Sequence, residues 1–264
     1  MTFELVTIIS LSIIFLGTTL GSSFVFIFKK NLSNRVNSII LGFASGIMIA
    51  AGFLGLLIPS IEEAKNIYGD YAVFPVIVGF ILGGLLLFGL DKLIPHIHIN
   101  SNEEEGTKNN KLSKNIKFFL AVTIHNIPEG IAVGFALGLA FNTEPNSLQI
   151  FSALSLAIGM FIQNVPEGTA IALPLTQAGM NKGKAFLLGT LSGAVEPIFG
   201  LLGLLLASSF TFLLPWLLAF SAGAMIYVTV DELLPSMREY GCYHVGIWAF
   251  MIGFSIMTIL ELVL

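Results

Sequence analysis

The chain has 264 residues, of which 55% are hydrophobic and 11% charged, with a net charge of -4 and a mean hydropathy of +0.90. Soluble domains carry about 25% charged residues, so this composition cannot cover a water-exposed surface and excludes a soluble globular enzyme. The single cysteine, Cys242, excludes a disulfide framework and a thiolate cluster. Together with 27 glycines, the apolar composition indicates an integral membrane protein with closely packed helices.

Eight apolar stretches are long enough to cross a bilayer, which takes about 20 residues. They are continuous rather than alternating in polarity, which excludes a closed β-barrel. In chain order we expect spans 1 to 8 at residues 3–28, 37–60, 72–95, 115–141, 148–176, 183–208, 212–235 and 243–264. The expected fold is an all-α integral membrane protein with a single transmembrane domain over 1–264 and a cytoplasmic loop at about 96–114.

The basic residues predict the orientation of these spans. Eleven of the 12 Lys and Arg residues lie in or beside the loops that follow spans 1, 3, 5 and 7, including the first residues of spans 4 and 6, and only Lys65 falls on the other side. Cytoplasmic loops carry the excess of Lys and Arg. We therefore expect a multi-pass protein of the cell (plasma or inner) membrane with both termini outside the cytoplasm.

Span 2 resembles span 7 in sequence. Residues 43–49 (FASGIMI) align with residues 220–226 (FSAGAMI) at an offset of 177, which also pairs Leu56 with Leu233. Two similar spans that run in opposite directions under the predicted topology are typical of an inverted repeat, an architecture common in transporters. We predict a 3+2+3 arrangement, in which spans 1–3 and 6–8 are related and spans 4 and 5 lie between them.

Spans 4 and 5 carry one polar motif twice, HNIPEG at 125–130 and QNVPEG at 163–168. The residues in question are His125, Asn126, Glu129, Gln163, Asn164 and Glu167. The first residue and the glutamate of each motif are four apart and share a helix face. Hydrogen bonding between helices is an alternative role for the asparagines alone. Ionisable groups are costly in a bilayer and indicate a functional site, and two facing carboxylates need a proton or a divalent cation between them.

Three further acidic residues lie in spans 6 and 7. Glu196 directly precedes a proline in span 6, and we interpret it as a metal ligand. Asp231 and Glu232, nearer the cytoplasmic side of span 7, are either an exit site for ions or a solvated helix end. On composition alone, Met48 in the middle of span 2 is interpreted as a packing residue rather than a ligand. Two histidines and three glutamates between residues 96 and 105 form a solvated linker or a loose metal site.

The paired motif on consecutive spans resembles that of the ZIP (Zrt/Irt-like) metal transporters, near their bacterial GufA-like branch. The resemblance covers nearly the whole chain. It implies one metal position with the ligands Met48, His125, Glu129, Gln163 and Glu167. It implies an adjoining position with Asn126, Glu129, Asn164, Glu167 and Glu196, and an exit path at Asp231 and Glu232. Many members have His-Glu-x-Pro-His-Glu in span 5, so Gln163 and Asn164 leave this chain with fewer imidazoles and less charge.

The expected function is transport of a divalent metal into the cytoplasm by alternating access. Zinc is the first substrate, with cadmium, iron and manganese as further candidates, because His, Gln and carboxylates together suit several first-row metals. The resemblance implies that spans 1, 4, 5 and 6 carry the metal against a wall of spans 2, 3, 7 and 8, with a homodimer as a candidate assembly. We expect no cofactor, no nucleic-acid partner and no enzymatic activity; metal ions and membrane lipid are the expected partners.

Two alternative functions stay open. An intramembrane metal-dependent hydrolase would use Glu129 or Glu167 as a general base, but the chain lacks His-Glu-x-x-His, which supplies two zinc ligands and a base on one helix. A divalent cation channel would share the carboxylates without needing two access states. Saturable metal uptake separates a transporter from a channel.

Overall fold

Helices form nearly all of the described chain. The computed structural model describes residues 2–28, 32–93, 96–97, 104–105, 114–141, 148–177 and 179–263. The α-helices are α1 (Phe3–Ser23), α2 (Asn34–Ala50), α3 (Ile58–Tyr68), α4 (Val73–Leu93), α5 (Lys114–Phe141), α6 (Leu148–Gln177), α7 (Lys182–Gly193), α8 (Val195–Ser209), α9 (Leu214–Val228), α10 (Leu234–Glu239) and α11 (Tyr243–Val263). Short 3-10 turns lie at Phe24–Phe26, Gly69–Tyr71 and Thr211–Leu213.

The loop after α4 contains a hairpin of two two-residue strands, and the predicted all-α fold is otherwise confirmed. Strand β1 (His96–Ile97) pairs antiparallel with β2 (Glu104–Glu105), and His96 stands opposite Glu105. The rest of the predicted loop, including His98, lies outside the described residues, as do Lys29 and Lys30.

Eight described stretches are long and apolar enough to cross a membrane, which confirms the predicted number of spans. Span 2 is longer than the predicted 37–60, because α2, a π-helical segment, α3 and a 3-10 turn form one helix of 38 residues over Asn34–Tyr71. Its extension is the polar helix α3, so the extra length lies beyond the apolar stretch. Span 6 is interrupted at Ala194, between α7 and α8.

Spans 2 and 7 each contain a π-helical segment, at Ala51–Leu57 and Thr229–Leu233. A proline follows each segment, at Pro59 and Pro235. Proline has no N–H for the carbonyl four residues earlier, and a π-helical turn lets that carbonyl accept from one residue further on. Adding 177 to the first range gives 228–234, which contains the second, so the two spans share this irregularity as well as their sequence pattern.

The helices pack in four long pairs, none of which joins consecutive spans. Helix α1 packs along α6, α5 along α8, α2 along α11 and α4 along α9. Contacts between α5 and α6 join the first two pairs into one bundle of α1, α5, α6 and α8. The other two pairs lie against this bundle through α2 on α6 and α9 on α5. The two motif-bearing helices are therefore enclosed by the rest of the protein.

Each long pair contains glycines four residues apart where the backbones approach most closely. These are Gly17 and Gly21 on α1, Gly42 and Gly46 on α2, Gly79 and Gly83 on α4, and Gly130 and Gly134 on α5. A Cβ atom at Gly130 would collide with the backbone of Glu196. Small residues at this spacing let membrane helices pack at short range, and here they bring α8 close enough for Glu196 to reach the motif on α5.

The largest apolar cluster closes one half of the bundle. It draws buried side chains from α1, α2, α5, α6, α8, α9, α11 and the π-helical segment after α2, including Ile14, Leu56, Leu156, Met160 and Leu218. The polar motif lies at the inner edge of this cluster, since Met160 is one helical turn from Gln163 on α6. Dense apolar packing therefore separates the motif from the end of the protein where Phe3 and Val263 lie.

Candidate metal centre

Helices α5 and α6 present the two halves of the motif to each other. Pro128 and Pro166 both lie within continuous helices. His125 is 7% exposed, Glu129 2% and Gln163 0%. Such burial of polar groups is costly unless they are paired or bind an ion, so the arrangement requires partners inside the protein.

Three electron-rich atoms converge on the side-chain amide of Gln163. Its Nε2 lies 3.3 Å from Glu129 Oε1 and 2.7 Å from Glu167 Oε2. The sulfur of Met48 lies 3.6 Å from the same nitrogen. Met48 comes from α2, just before the π-helical segment, and its sulfur also lies 3.8 Å from Thr229 Oγ1, whose hydroxyl donates to the carbonyl of Met225 at 2.8 Å. The amide NH2 thus occupies a position that two carboxylates and a thioether surround.

Two oxygen atoms beside this position have no hydrogen-bond partner among the described residues. They are Gln163 Oε1 and Glu129 Oε2, and both are buried. Leaving such atoms unpaired costs about 1–3 kcal/mol each. A cation seated among the ligands would satisfy the carboxylate directly, and rotation of the Gln163 amide would turn its oxygen toward the ion.

His125 is oriented by a carboxylate from another helix. Its Nδ1 lies 3.2 Å from Glu232 Oε2, and both side chains are buried. An imidazole held through Nδ1 uses Nε2 toward a metal, and a carboxylate in this position fixes the orientation of the ring. Glu232 therefore belongs to the centre as the partner of His125.

The structure separates the two acidic neighbours in span 7. Asp231 is exposed and lines a groove between α4 and α9 together with Phe80 and Phe88. Glu232 instead lies in the cavity of the motif. The two residues, predicted together, face different parts of the protein.

Glu196 forms a second polar cluster beside the first. Its Oε1 accepts from Thr18 Oγ1 at 3.0 Å and from Asn126 Nδ2 at 3.3 Å. Its Oε2 accepts a short hydrogen bond from Asn164 Nδ2. One residue from each of α1, α5, α6 and α8 meets here. The amide oxygens of Asn126 and Asn164 are buried without a partner in the described part of the chain, and each amide could rotate to present oxygen to a cation.

A cavity of about 40 Å³ adjoins the first cluster. By this measure a water molecule needs about 10–15 Å³, so the space accommodates an ion with two or three waters. Its lining residues include Ile40, Ala44, Met48, His125, Glu129, Gln163, Glu167, Ala170 and Glu232. A further cavity of about 50 Å³ shares Ile40 and Ala170 with it and reaches Leu32, Asn37 and Tyr240. The cavities lead toward the loops after spans 1, 5 and 7, away from the large apolar cluster.

Within the described residues, no three His, Cys, Asp or Glu side chains converge closely enough to hold a metal ion by themselves. The side chains around the Gln163 amide provide enough ligands for a metal ion only when Met48 and the amide itself are included. Metal binding at this position therefore requires the carboxylates to close in as the amide rotates.

The sequence did not single out Thr18 or Thr229, which contact the two clusters. Both are hydroxyl residues of apolar spans, and both are 0% exposed. A threonine in a membrane helix commonly bonds the carbonyl four residues earlier, as Thr19 does with Phe15 at 3.0 Å. The sequence signal that distinguishes Thr18 is its position on α1 next to Gly17 and three residues before Gly21. Both glycines face α6.

Comparison with known proteins identifies relatives along almost the entire chain. The family described as "ZIP Zinc transporter" matches residues 4–117 and 114–261. Zinc transporter ZIP11 of Xenopus tropicalis is 33% identical over 314 residues, covering 92% of this chain and 93% of the relative. Zinc transporter GufA of Myxococcus xanthus is 34% identical, covering 88% and 89%. Zinc transporter ZIPB of Bordetella bronchiseptica is 35% identical, covering 88% and 73%.

Proposed function

Since the chain belongs to the ZIP zinc transporter family, we propose that it carries zinc across the membrane into the cytoplasm through the cluster around Gln163. The protein is a multi-pass membrane protein and a divalent metal transporter. Cadmium, iron and manganese are further candidate substrates, because a thioether, an imidazole, an amide and carboxylates suit metals of intermediate softness.

The convergence of Glu129, Glu167 and Met48 on one nitrogen atom carries this proposal. The amide of Gln163 donates to both carboxylates and so reduces their mutual repulsion. A divalent ion replaces that role with its own charge, and the amide then turns its unpaired oxygen toward the ion. The first metal position has the ligands Met48, His125, Glu129, Gln163 and Glu167.

The second proposed position is the cluster around Glu196. Its ligands are Asn126, Glu129, Asn164, Glu167 and Glu196, with the two motif glutamates shared between positions. Because Glu196 already accepts from Thr18 and both asparagines, an ion must displace these donors to bind there. We therefore expect the second position to bind more weakly than the first.

Access to the metal centre from the cytoplasmic side is supported by the placement of the cavities. They lead from His125 and Glu232 toward the side that carries the basic loops, which the positive-inside rule assigns to the cytoplasm. In this assignment both chain termini lie outside the cytoplasm. Glu232 is the first carboxylate on the exit path, and the exposed Asp231 is a further exit residue. The large apolar cluster closes the outer side.

Alternating access fits the division of the helices into two groups. The bundle of α1, α5, α6 and α8 contains every proposed ligand except Met48 and the exit residues Asp231 and Glu232. The pairs of α2 with α11 and of α4 with α9 form the surrounding wall, whose exposed apolar groove between α4 and α9 is a candidate surface for a homodimer. Movement of the bundle against this wall would close the inner cavity and open the apolar cluster.

Zinc uptake by purified protein in liposomes tests the proposal. We expect saturable uptake of zinc, competition by cadmium and manganese, and complete loss of uptake in Glu167→Ala. Glu239→Ala is the matched control, because Glu239 is an exposed carboxylate at the end of α10. Uptake that rises linearly with zinc concentration would indicate a channel, and wild-type uptake in Glu167→Ala would exclude the proposed ion position.

A further inference from the structure

We propose that the hydrogen bond from Ser221 to the carbonyl oxygen of Pro128 stabilises the closed outer side of the protein, and so sets the balance between the two access states. Ser221 Oγ lies 3.1 Å from this oxygen. The contact joins α9 of the wall to α5 of the bundle, next to the proposed ligand Glu129. The proposal rests on the proposed function, because it assumes that the bundle moves against the wall.

The bond lies on the outer side of the metal centre. Ser221 is 1% exposed, and its neighbours Leu218 and Ala222 belong to the large apolar cluster. Carbonyl groups of a helix point toward its C-terminal end, so that of Pro128 points toward Phe141 and away from the open cavities. A carbonyl oxygen has two lone pairs and can accept from Ser221 in addition to its own helix. The bond therefore forms only while α5 and α9 are packed together on this side.

An equivalent place exists on the inner side of the metal centre. The offset of 177 between spans 2 and 7 pairs Ser221 with Ala44. The offset of 38 between the two motifs pairs Pro128 with Pro166. Ala44 and Pro166 both line the cavity that adjoins the metal centre. The carbonyl of Pro166 points toward Gln177, because consecutive spans cross the membrane in opposite directions. Equivalent surfaces are therefore in contact on the outer side and border a cavity on the inner side.

The close packing of the helices follows the same two offsets. Four glycines at which a Cβ atom would collide with a carbonyl of the neighbouring helix form two equivalent pairs. They are Gly46 with Phe250 and Gly223 with Phe80 in the wall, and Gly130 with Glu196 and Gly168 with Thr18 in the bundle. Inverted repeats are associated with alternating access, in which one part of the protein moves against another around a fixed site. We therefore expect the outward-open state to bring Ala44 against Pro166 and to separate Ser221 from Pro128.

The hydroxyl of Ser221 is not repeated at the equivalent place. Span 2 has Ala44 there, and its own serine, Ser45, stands one residue later. Ser45 Oγ donates to the carbonyl of Leu41 in the same helix at 2.7 Å. The closed outer side thus gains a hydrogen bond between bundle and wall that a closed inner side would lack. Such bonds between membrane helices shift an equilibrium by about threefold on average, so this difference favours the state with a closed outer side.

Thiol labelling in the outer apolar cluster tests the proposal without relying on zinc uptake. Leu218 is 0% exposed, so the reaction of Leu218→Cys with a methanethiosulfonate reagent, in a Cys242→Ser background, measures opening of the outer side. We expect Ser221→Ala to raise the labelling rate about threefold, because the bond is lost. Ala44→Ser should also raise it about threefold, because it adds the equivalent donor opposite Pro166 in the outward-open state. The two changes together should raise it about tenfold.

Two controls distinguish a shifted equilibrium from general loosening of the protein. Ser45→Ala removes a hydroxyl that bonds within its own helix, and it should leave the labelling rate of Leu218→Cys unchanged. Met237 on α10 is 4% exposed and packs within the wall. Met237→Cys should therefore react equally slowly whether or not Ser221 or Ala44 is changed.

The outcomes separate this proposal from the proposed function. An unchanged labelling rate in Ser221→Ala or in Ala44→Ser, or an equal rise at both cysteine positions, overturns the role of the hydrogen bond. The transport proposal fails separately, if the wild type takes up no zinc or if Glu167→Ala retains uptake.

Discussion

The hydrogen bond from Thr18 to Glu196 is a direct test of how the four helices of the central bundle are held together. Both residues are fully buried, and the bond of 3.0 Å joins α1 to α8. Thr18→Val keeps the shape of the side chain and removes only the hydroxyl donor. Glu196 then retains its two asparagine donors, so the change weakens the cluster without leaving the carboxylate unpaired.

The expected loss follows from the nature of the bond. Hydrogen bonds between membrane helices average about 0.6 kcal/mol and reach about 1.7 kcal/mol, and bonds to carboxylates are the stronger ones. We expect Thr18→Val to lower the free energy of unfolding by about 1.5 kcal/mol, which corresponds to a Tm lower by about 3–6 °C for a chain of this size. Thermal unfolding of the purified protein in detergent, without added metal, measures the difference.

Thr19→Val is the matched control. Thr19 is the next residue, and its hydroxyl donates to the carbonyl of Phe15 within the same helix. Its loss should lower the Tm by less than half as much. A double-mutant cycle with Glu196→Gln isolates the pair, and Thr18→Val should cost clearly less in that background. Equal Tm values for the two valine variants, or additive effects in the cycle, would show that Thr18 does not stabilise the bundle through Glu196.

Three further predictions concern the metal centre. Glu129→Ala or Glu167→Ala should reduce zinc uptake at least about 100-fold while the protein remains folded, because both positions share these ligands; near-normal uptake would contradict this. Zinc affinity should fall between pH 7 and pH 5, because imidazole, with a reference pKa of about 6.5, must be neutral at His125 to bind metal; a flat binding profile would exclude His125. Gln163→His should raise zinc over manganese in competitive uptake, because imidazole is the better zinc ligand; an unchanged ratio would place Gln163 outside the site.

The polar residues that line the central cavity could be predicted from the sequence because ionisable and amide residues are scarce in a membrane span. Glu129 and Glu167 stand out against an apolar background, and their four-residue spacing from His125 and Gln163 fixes their common face. The structure brings these four side chains to one cavity. The number of spans was predictable for the same reason, since continuous apolar stretches of sufficient length have few alternatives.

Spacing separates Asp231 from Glu232, because adjacent residues of a helix project about 100° apart, but it could not predict which of the two reaches the cavity. Both lie in the π-helical segment Thr229–Leu233, where the helix phase departs from the regular value of about 100° per residue. A spacing argument that assumes an α-helix therefore assigns the wrong faces there. The segment itself has a sequence cause at Pro235, but its register depends on packing.

Hydroxyl residues mark another limit. Threonine and serine are frequent in apolar spans, and Ser255 and Thr258 bond carbonyls of their own helix. Only tertiary packing distinguishes them from Ser152, which turns to Glu261 on another helix. The packing faces of the helix pairs also leave a signal in the sequence. Glycines four residues apart mark the contact face in all four pairs.

The pairing of helices has a consequence for how the protein is made. Helix α2 packs along α11, the last span, and α1 packs along α6, so neither of the first two spans meets its main partner until much later in synthesis. Contacts between distant parts of a chain slow assembly. Gly42 and Gly46 of α2 face lipid or the insertion machinery until α11 arrives. A chain that stops before Tyr243 would contain every proposed metal ligand and still be a substrate for membrane quality control.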